Sequence, residues 1–520
     1  MSSSHDNRRD EEGDEDVYLD EQDAEEVIQQ DDDHPMDSDD EDQQMHEEIS
    51  LQNDSAAHFD HHSDSIFCIA QHPVHKNIVI TGSGDDTAYI FDSTPIDERP
   101  LLPQSYESNP QPKGERKSLE HIKKLDGHTD SVNAVAFTQP RGEYAVSAGL
   151  DGRLRVWRDT TPQKTGLAWE FVGEAQEVEE INWMAVCPSK DGDEVKSNII
   201  AIGGNDGSSW VFKIDHTDTA QPIVIYETYF QHTLATSAGT WTPDGNLLAT
   251  VSEDGSFYVY DVFGIAANAG VPYPAGHKAV VGYTAEDQRF AVEGGLYSIA
   301  ISPSGTIAAV GGAGGHIKVV GLPRLQQDST KASKSKQSTG GSSQATGAGA
   351  LLASLQAQSE SIESLSFSSL PLTLLASGSV DGSICLFDAA HRFAVRRHIR
   401  EAHEGAAVVK VEFLRQTSQA MPPMRPGPTS SASAALAAAQ GRPWLLTSVG
   451  LDGVVRRWDA RGGTAAAAQG FIREWRGHLG LIETEGEEQS GGILGFVQDA
   501  PGGTRIVTAG DDGIALVFEE

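Results

Sequence analysis

The chain has 520 residues, with 77 acidic against 38 basic side chains and a formal net charge of -39 at pH 7. That balance disfavours direct nucleic-acid binding, which needs a basic face to displace counterions, and points to a basic partner. Cys68, Cys187 and Cys385 lie far apart in apolar runs, and no stretch of about 18 apolar residues occurs. The sequence therefore predicts buried thiols rather than metal ligands or disulfides, no membrane span, and a monomer of the cytoplasm with access to the nucleus.

In chain order, residues 1–53 are expected to form a disordered acidic tail. The first 60 residues hold 24 acids and two bases, Arg8 and Arg9. Runs such as Asp37-Ser38-Asp39-Asp40-Glu41-Asp42 repel themselves and offer little apolar area to offset the entropy of ordering.

From residue 54 onward the pattern changes to short strands and tight turns. The clearest unit runs from Gly127-His128 through Val132-Asn133-Ala134-Val135-Ala136-Phe137 and Tyr144-Ala145-Val146-Ser147-Ala148-Gly149 to Asp151-Gly152 and Leu154-Arg155-Val156-Trp157. An Asp-Gly pair between alternating apolar runs is a strong hairpin signal. Related turns recur at Asp86-Thr87, Asp206-Gly207, Asp254-Gly255, Gly314-Gly315, Asp381-Gly382, Asp452-Gly453 and Asp512-Gly513, giving eight units. With the Gly-His openings and the Trp458-Asp459 type of ending, residues 62–518 resemble the WD-repeat (WD40) family. The resemblance implies an all-β, eight-bladed WD40 β-propeller over residues 54–520. Residues 54–61 would then supply the outer strand that the last repeat lacks. Spacings longer than a bare repeat are explained by Pro-, Gly-, Ser- and Ala-rich insertions at 95–118, 322–358 and 415–442, read as surface loops.

His128, Ser147, Asp151 and Trp157 resemble the family's hydrogen-bond network, and His403, Ser448, Asp452 and Trp458 repeat it at the same positions. The recurrence marks architecture rather than a catalytic set, so neither an enzyme nor a cofactor or metal site is expected.

By analogy with the family, three positions per blade face partners at the channel mouth: two residues before the first apolar residue of the inner strand, the residue after it, and the residue before the Asp-Gly turn. Among these 24 positions eight are acidic and none is basic, where chance would place about three acids and two bases. The acids are Asp64, Asp85, Asp130, Glu179, Glu253, Glu360, Glu363 and Asp511. Exposed ion pairs contribute about 0.2 to 1 kcal/mol each, so apolar anchors are needed too, and Phe67, Tyr297, Val409 and Leu494 are the candidates.

His62-Ser63-Asp64-Ser65-Ile66-Phe67-Cys68-Ile69-Ala70-Gln71-His72-Pro73, followed by Thr81-Gly82-Ser83-Gly84-Asp85-Asp86, resembles the angio-associated migratory cell protein group. Its fungal member is the dedicated chaperone of large-subunit ribosomal protein L ten, of the universal L sixteen class. The resemblance implies capture of that protein's basic N-terminal segment and delivery to the pre-60S particle. A signalling or migration scaffold and a histone chaperone are the alternatives.

Overall fold

The computed structural model describes residues 52–96, 116–161, 168–325, 347–415, 442–461, 470–480, 482–484, 487–489, 491–499 and 502–520. The tail expected at 1–53 lies, up to residue 51, outside them, as does most of each expected insertion. Among the described residues the chain forms eight four-stranded antiparallel sheets and a two-stranded ribbon. The second blade shows the pattern: Val132–Phe137, Tyr144–Gly149, Arg153–Asp159 and Trp169–Gln176 lie side by side from the channel outward. Its second strand is buried along its whole length because adjacent blades cover both faces, which explains the continuous run of small and apolar residues. The turn into the third strand needs a left-handed residue, and Gly152 supplies it with φ 72°.

The start of the propeller closes the ring. Ala57–Phe59 pairs with Ala515–Glu519, Phe59 opposite Ala515 and Ala57 opposite Val517, so the eighth blade takes its outer strand from the start of the propeller. Phe59 is fully buried and stacks on Phe91 of the first blade at 4.2 Å. Among the described residues the apolar core is divided into eight clusters, each spanning one seam between neighbouring blades. The cluster between blades eight and one includes Phe59, Phe91 and Val517. Stability is thus distributed around the ring, and no blade buries its own faces.

One boundary differs from expectation. Leu351–Gln356, within the stretch 322–358 read as a loop, is the outer strand of blade five, pairing with His316–Gly321. Its residues alternate between half-buried and exposed, the signature of a strand washed by solvent on one side, and it lacks the continuous apolar run that marks inner strands. All three long insertions leave from one end of the propeller. Those at 95–118 and in blade five join third to outer strands, and the one at 415–442 joins an inner to a second strand. The opposite end carries the outer-to-inner connections and the second-to-third turns.

The cysteines are free, Cys187 and Cys385 buried and Cys68 half-buried, and burial pushes the Cys187 and Cys385 thiols up to about 12. Among the described residues no helix is long and apolar enough to cross a membrane.

His72, at the insertion end of blade one, is buried against Phe137, and its Nδ1 accepts the N–H groups of Val74 (3.2 Å) and His75 (2.9 Å). A ring that accepts there is neutral. Burial, reinforced by neighbouring His75 and Lys76, pushes its pKa down to about 4. The folded state then binds fewer protons than the unfolded one between about pH 6.5 and 4. The contribution, about 3 kcal/mol, is present above the unfolded value and is lost as pH falls toward 4. The melting temperature should drop across that window, and His72→Gln should flatten the slope. An identical slope in the variant would assign the effect elsewhere.

Candidate functional site

The end free of long insertions is built by one device used eight times. In every inner strand the pairing with the second strand slips between the first and third residues, as between Ile66 and Cys68, Val132 and Ala134, or Thr236 and Ala238. The same slip occurs in the other five blades. A bulge of this kind redirects the extra side chain. The bulged residues are Phe67, Asn133, Asn182, Ser237, Tyr297, Glu363, Val409 and Leu494. A second constraint fixes the turns. The N–H before each turn aspartate or its equivalent bonds to the carbonyl just ahead of the inner strand, as in Leu150 to Ser131 (2.9 Å), Glu253 to Ala235 (3.1 Å) and Asp511 to Gly492 (2.9 Å).

That second constraint corrects one assignment. In blade one the bond is made by Gly84, to Ser65 (3.0 Å), and not by Asp85. The Asp85 carboxylate instead faces inward, accepting from Ser63 N–H (3.1 Å) and Thr87 Oγ1 (2.6 Å) and meeting His62 Nδ1 at 3.0 Å. It is the counterpart of Asp151, which meets His128 Nδ1 at 3.0 Å. Here the left-handed turn residue is Asp86, with φ 61°, where other blades use glycine. A search for Asp-Gly pairs therefore reads this turn one residue late. Burial alone would raise the Asp85 carboxyl, but His62, Thr87 and Ser63 hold it below the usual carboxylate range. Asp85 belongs to the architecture, and Gly84 takes its place on the end face.

The network is also wider than the two copies expected. His62 meets Thr81 (3.0 Å), His232 meets Thr250 (2.7 Å) and Ser256 (2.6 Å), and His478 meets Thr508 (2.8 Å) and Asp512 (2.9 Å). Threonine in place of serine concealed these blades in the sequence.

Seven acids remain on the end face. Asp64, Asp130, Glu179, Glu253, Glu360 and Glu363 are exposed and Asp511 is half-buried. Among the described residues none of the seven has a cationic side chain within 4 Å, in contrast to paired acids such as Asp459 with Arg461 at 2.6 Å. Their field is left open to solvent. Tyr297 stands among them: burial raises its hydroxyl pKa, and the charges of Glu253 and Glu363, from the blades on either side, raise it further.

The eight bulged residues do not all face outward. Asn133 turns sideways to donate to Asn182 O of blade three (2.8 Å), Asn182 donates to Thr236 O of blade four (3.1 Å), and Ser237 donates to Leu296 O of blade five. These three stitch blades together. Of the others, Phe67 and Glu363 are exposed and Tyr297, Val409 and Leu494 half-buried, and the Phe67 ring and the Asp64 carboxylate lie together over Gly84, where an added side chain would press on both. The ribbon of Ile482–Thr484 and Glu487–Gln489, between blades seven and eight at this same end, escaped the sequence reading. A Gly-containing break between two short polar runs was its only signal.

The WD domain, G-beta repeat family matches residues 53–92, 119–158, 225–261 and 349–388. The human angio-associated migratory cell protein is 24% identical over 433 residues, covering 83% of this chain and 74% of that protein. The ribosome assembly protein SQT1 of Saccharomyces cerevisiae is 29% identical over 187 residues, so the match spans 35% of this chain and only 36% of the yeast protein. The crystal structure of Chaetomium thermophilum Sqt1 bound to the N-terminus of the ribosomal protein L10 superimposes with a TM-score of 0.71 at 47% identity, covering 90% of this chain and all of that one. With nearly half its residues shared along the whole of that chain, the protein belongs to the Sqt1 family of WD-repeat propellers.

Proposed function

We propose that this chain is a non-enzymatic dedicated chaperone that binds the basic N-terminal segment of a newly made L10-class ribosomal protein on its acidic end face and delivers it to cytoplasmic pre-60S particles. The observation that carries the reading is the Chaetomium Sqt1 complex, a 47% identical propeller bound to the N-terminus of the ribosomal protein L10. The unpaired acids around the channel mouth supply a matching chemistry. A ribosomal protein free of RNA presents positive charge that attracts any polyanion or aggregates, and an acidic propeller covers that charge reversibly. Ribosomal RNA, a denser polyanion, then displaces the propeller, and release needs no hydrolysis.

Charge alone falls short of nanomolar affinity, which needs about 12 kcal/mol. Phe67, Tyr297, Val409 and Leu494 provide apolar contact among the acids, which fits a basic segment with interspersed apolar residues. Titrating the full chain with the N-terminal segment of an L10-class protein, at increasing salt, should show binding that weakens steadily with ionic strength. No binding at low salt, or co-purification of histones in place of a ribosomal protein, would reject this function.

A further inference from the structure

The acidic end face carries an apolar break in one blade. Three buried histidines, His62, His128 and His232, stand four residues before the inner strands of blades one, two and four, and so fix equivalent positions in the connecting loops. Two residues before and two after that histidine, blade one has Asp60 and Asp64 and blade two has Asp126 and Asp130. Blade four has Phe230 and Leu234, which are 65% and 53% exposed. The loop that carries them is held firmly: Thr233 N–H bonds to Asp254 (2.6 Å), and His232 is fixed by Thr250 and Ser256. The Phe230 ring meets the edge of Trp210 at 5.7 Å. Two large apolar side chains kept in water on a rigid loop, where sister blades place carboxylates, mark a contact surface.

We propose that Phe230 and Leu234 form an apolar anchor at the rim of the recognition face, taking an aliphatic or aromatic side chain of the same basic segment. The inference rests on the proposed function. Exposed Glu179 of blade three and Glu253 of blade four belong to the same end face, so the occupant is an apolar residue flanked by basic ones. Charge attracts any polycation, whereas the anchor selects the segment with an apolar residue at the right spacing.

Two double variants of the full chain test this: Phe230→Ala with Leu234→Ala, and Phe230→Asp with Leu234→Asp, which restores the acidic pattern of blades one and two. Both should melt as wild type, since neither side chain is buried. Each should bind the L10-class N-terminal segment at least 10-fold more weakly, with the salt dependence of the alanine variant unchanged. Oligolysine should bind the alanine variant as it binds wild type, and the aspartate variant at least as tightly. Segment affinity at or above wild type in the aspartate variant would overturn the anchor. Failure of the wild-type chain to bind the segment at all would overturn the proposed function and, with it, the occupant assigned here.

Discussion

A chain carrying Glu253→Lys together with Glu363→Lys should lose affinity for a basic segment by about 5- to 1000-fold at low salt while melting as wild type. Both glutamates are exposed, and neither has a cationic neighbour within 4 Å among the described residues, so removing them leaves no orphaned charge in the fold. They flank Tyr297 from blades four and six, and both raise its pKa, so their fields overlap at one point of the channel mouth. Each exposed pair is worth about 0.2 to 1 kcal/mol, and reversal both removes an attraction and adds a repulsion. Over the two positions the sum is about 1 to 4 kcal/mol, which sets the expected range. The matched glutamine variant should lose about half as much free energy, about 2- to 30-fold in affinity. Titration calorimetry at two salt concentrations separates the cases, because the lysine variant's deficit should shrink as salt screens it. Wild-type affinity in the lysine variant would remove this arc of the face from the binding site.

The largest effect on stability is expected for Asp452→Ala. Asp452 meets His403 Nδ1 at 2.8 Å and also holds the Arg456 guanidinium, and both partners are buried. Beyond the histidine, Ser448 Oγ meets His403 Nε2 and accepts from Trp458 Nε1, each at 2.8 Å. Burial alone would raise the Asp452 carboxyl, but His403 and Arg456 hold it below the usual range, so it is charged in the fold. Truncation leaves Arg456 with Glu474 (3.3 Å) and exposed Glu404 (3.1 Å), which compensate only in part. Breaking a buried pair by removing one partner costs about 3 to 5 kcal/mol. The melting temperature should fall by about 3 to 5 °C. Asp85→Ala, where no arginine is involved, should cost less, about 1 to 3 kcal/mol, and leave segment affinity unchanged. Equal melting of both variants would mean that Arg456 contributes nothing to the network.

The strand pattern and the blade count were legible in the sequence because both are local. Alternation with period two and a turn that demands a left-handed residue are written within about ten neighbouring positions. In seven blades the inner strand starts on the first large apolar residue of its run, whereas the fourth starts at Thr236, a position that the pairing rather than hydrophobicity fixes. The closing strand was also legible, since a last repeat ending at Phe518 required a partner and only Ala56 to Asp60 was available.

Other features depended on residues far apart in the chain. Whether a bulged side chain stays at the channel mouth or stitches the ring is decided by the carbonyl of the next blade, about 50 residues away for Asn133 and Asn182. Asp85 passed for a recognition residue because Asp86 performs a glycine's task, and the bond from Gly84 to Ser65 together with the Asp85–His62 contact reveals the shift. Leu351–Gln356 passed for loop because an outer strand, paired on one edge only, needs no continuous apolar run. Composition and repeats thus determined an eight-bladed ring and pointed to the end proposed here for recognition. Tertiary structure decided which side chains remain free at that end, because a polar group is committed or available according to what the neighbouring blade presents to it.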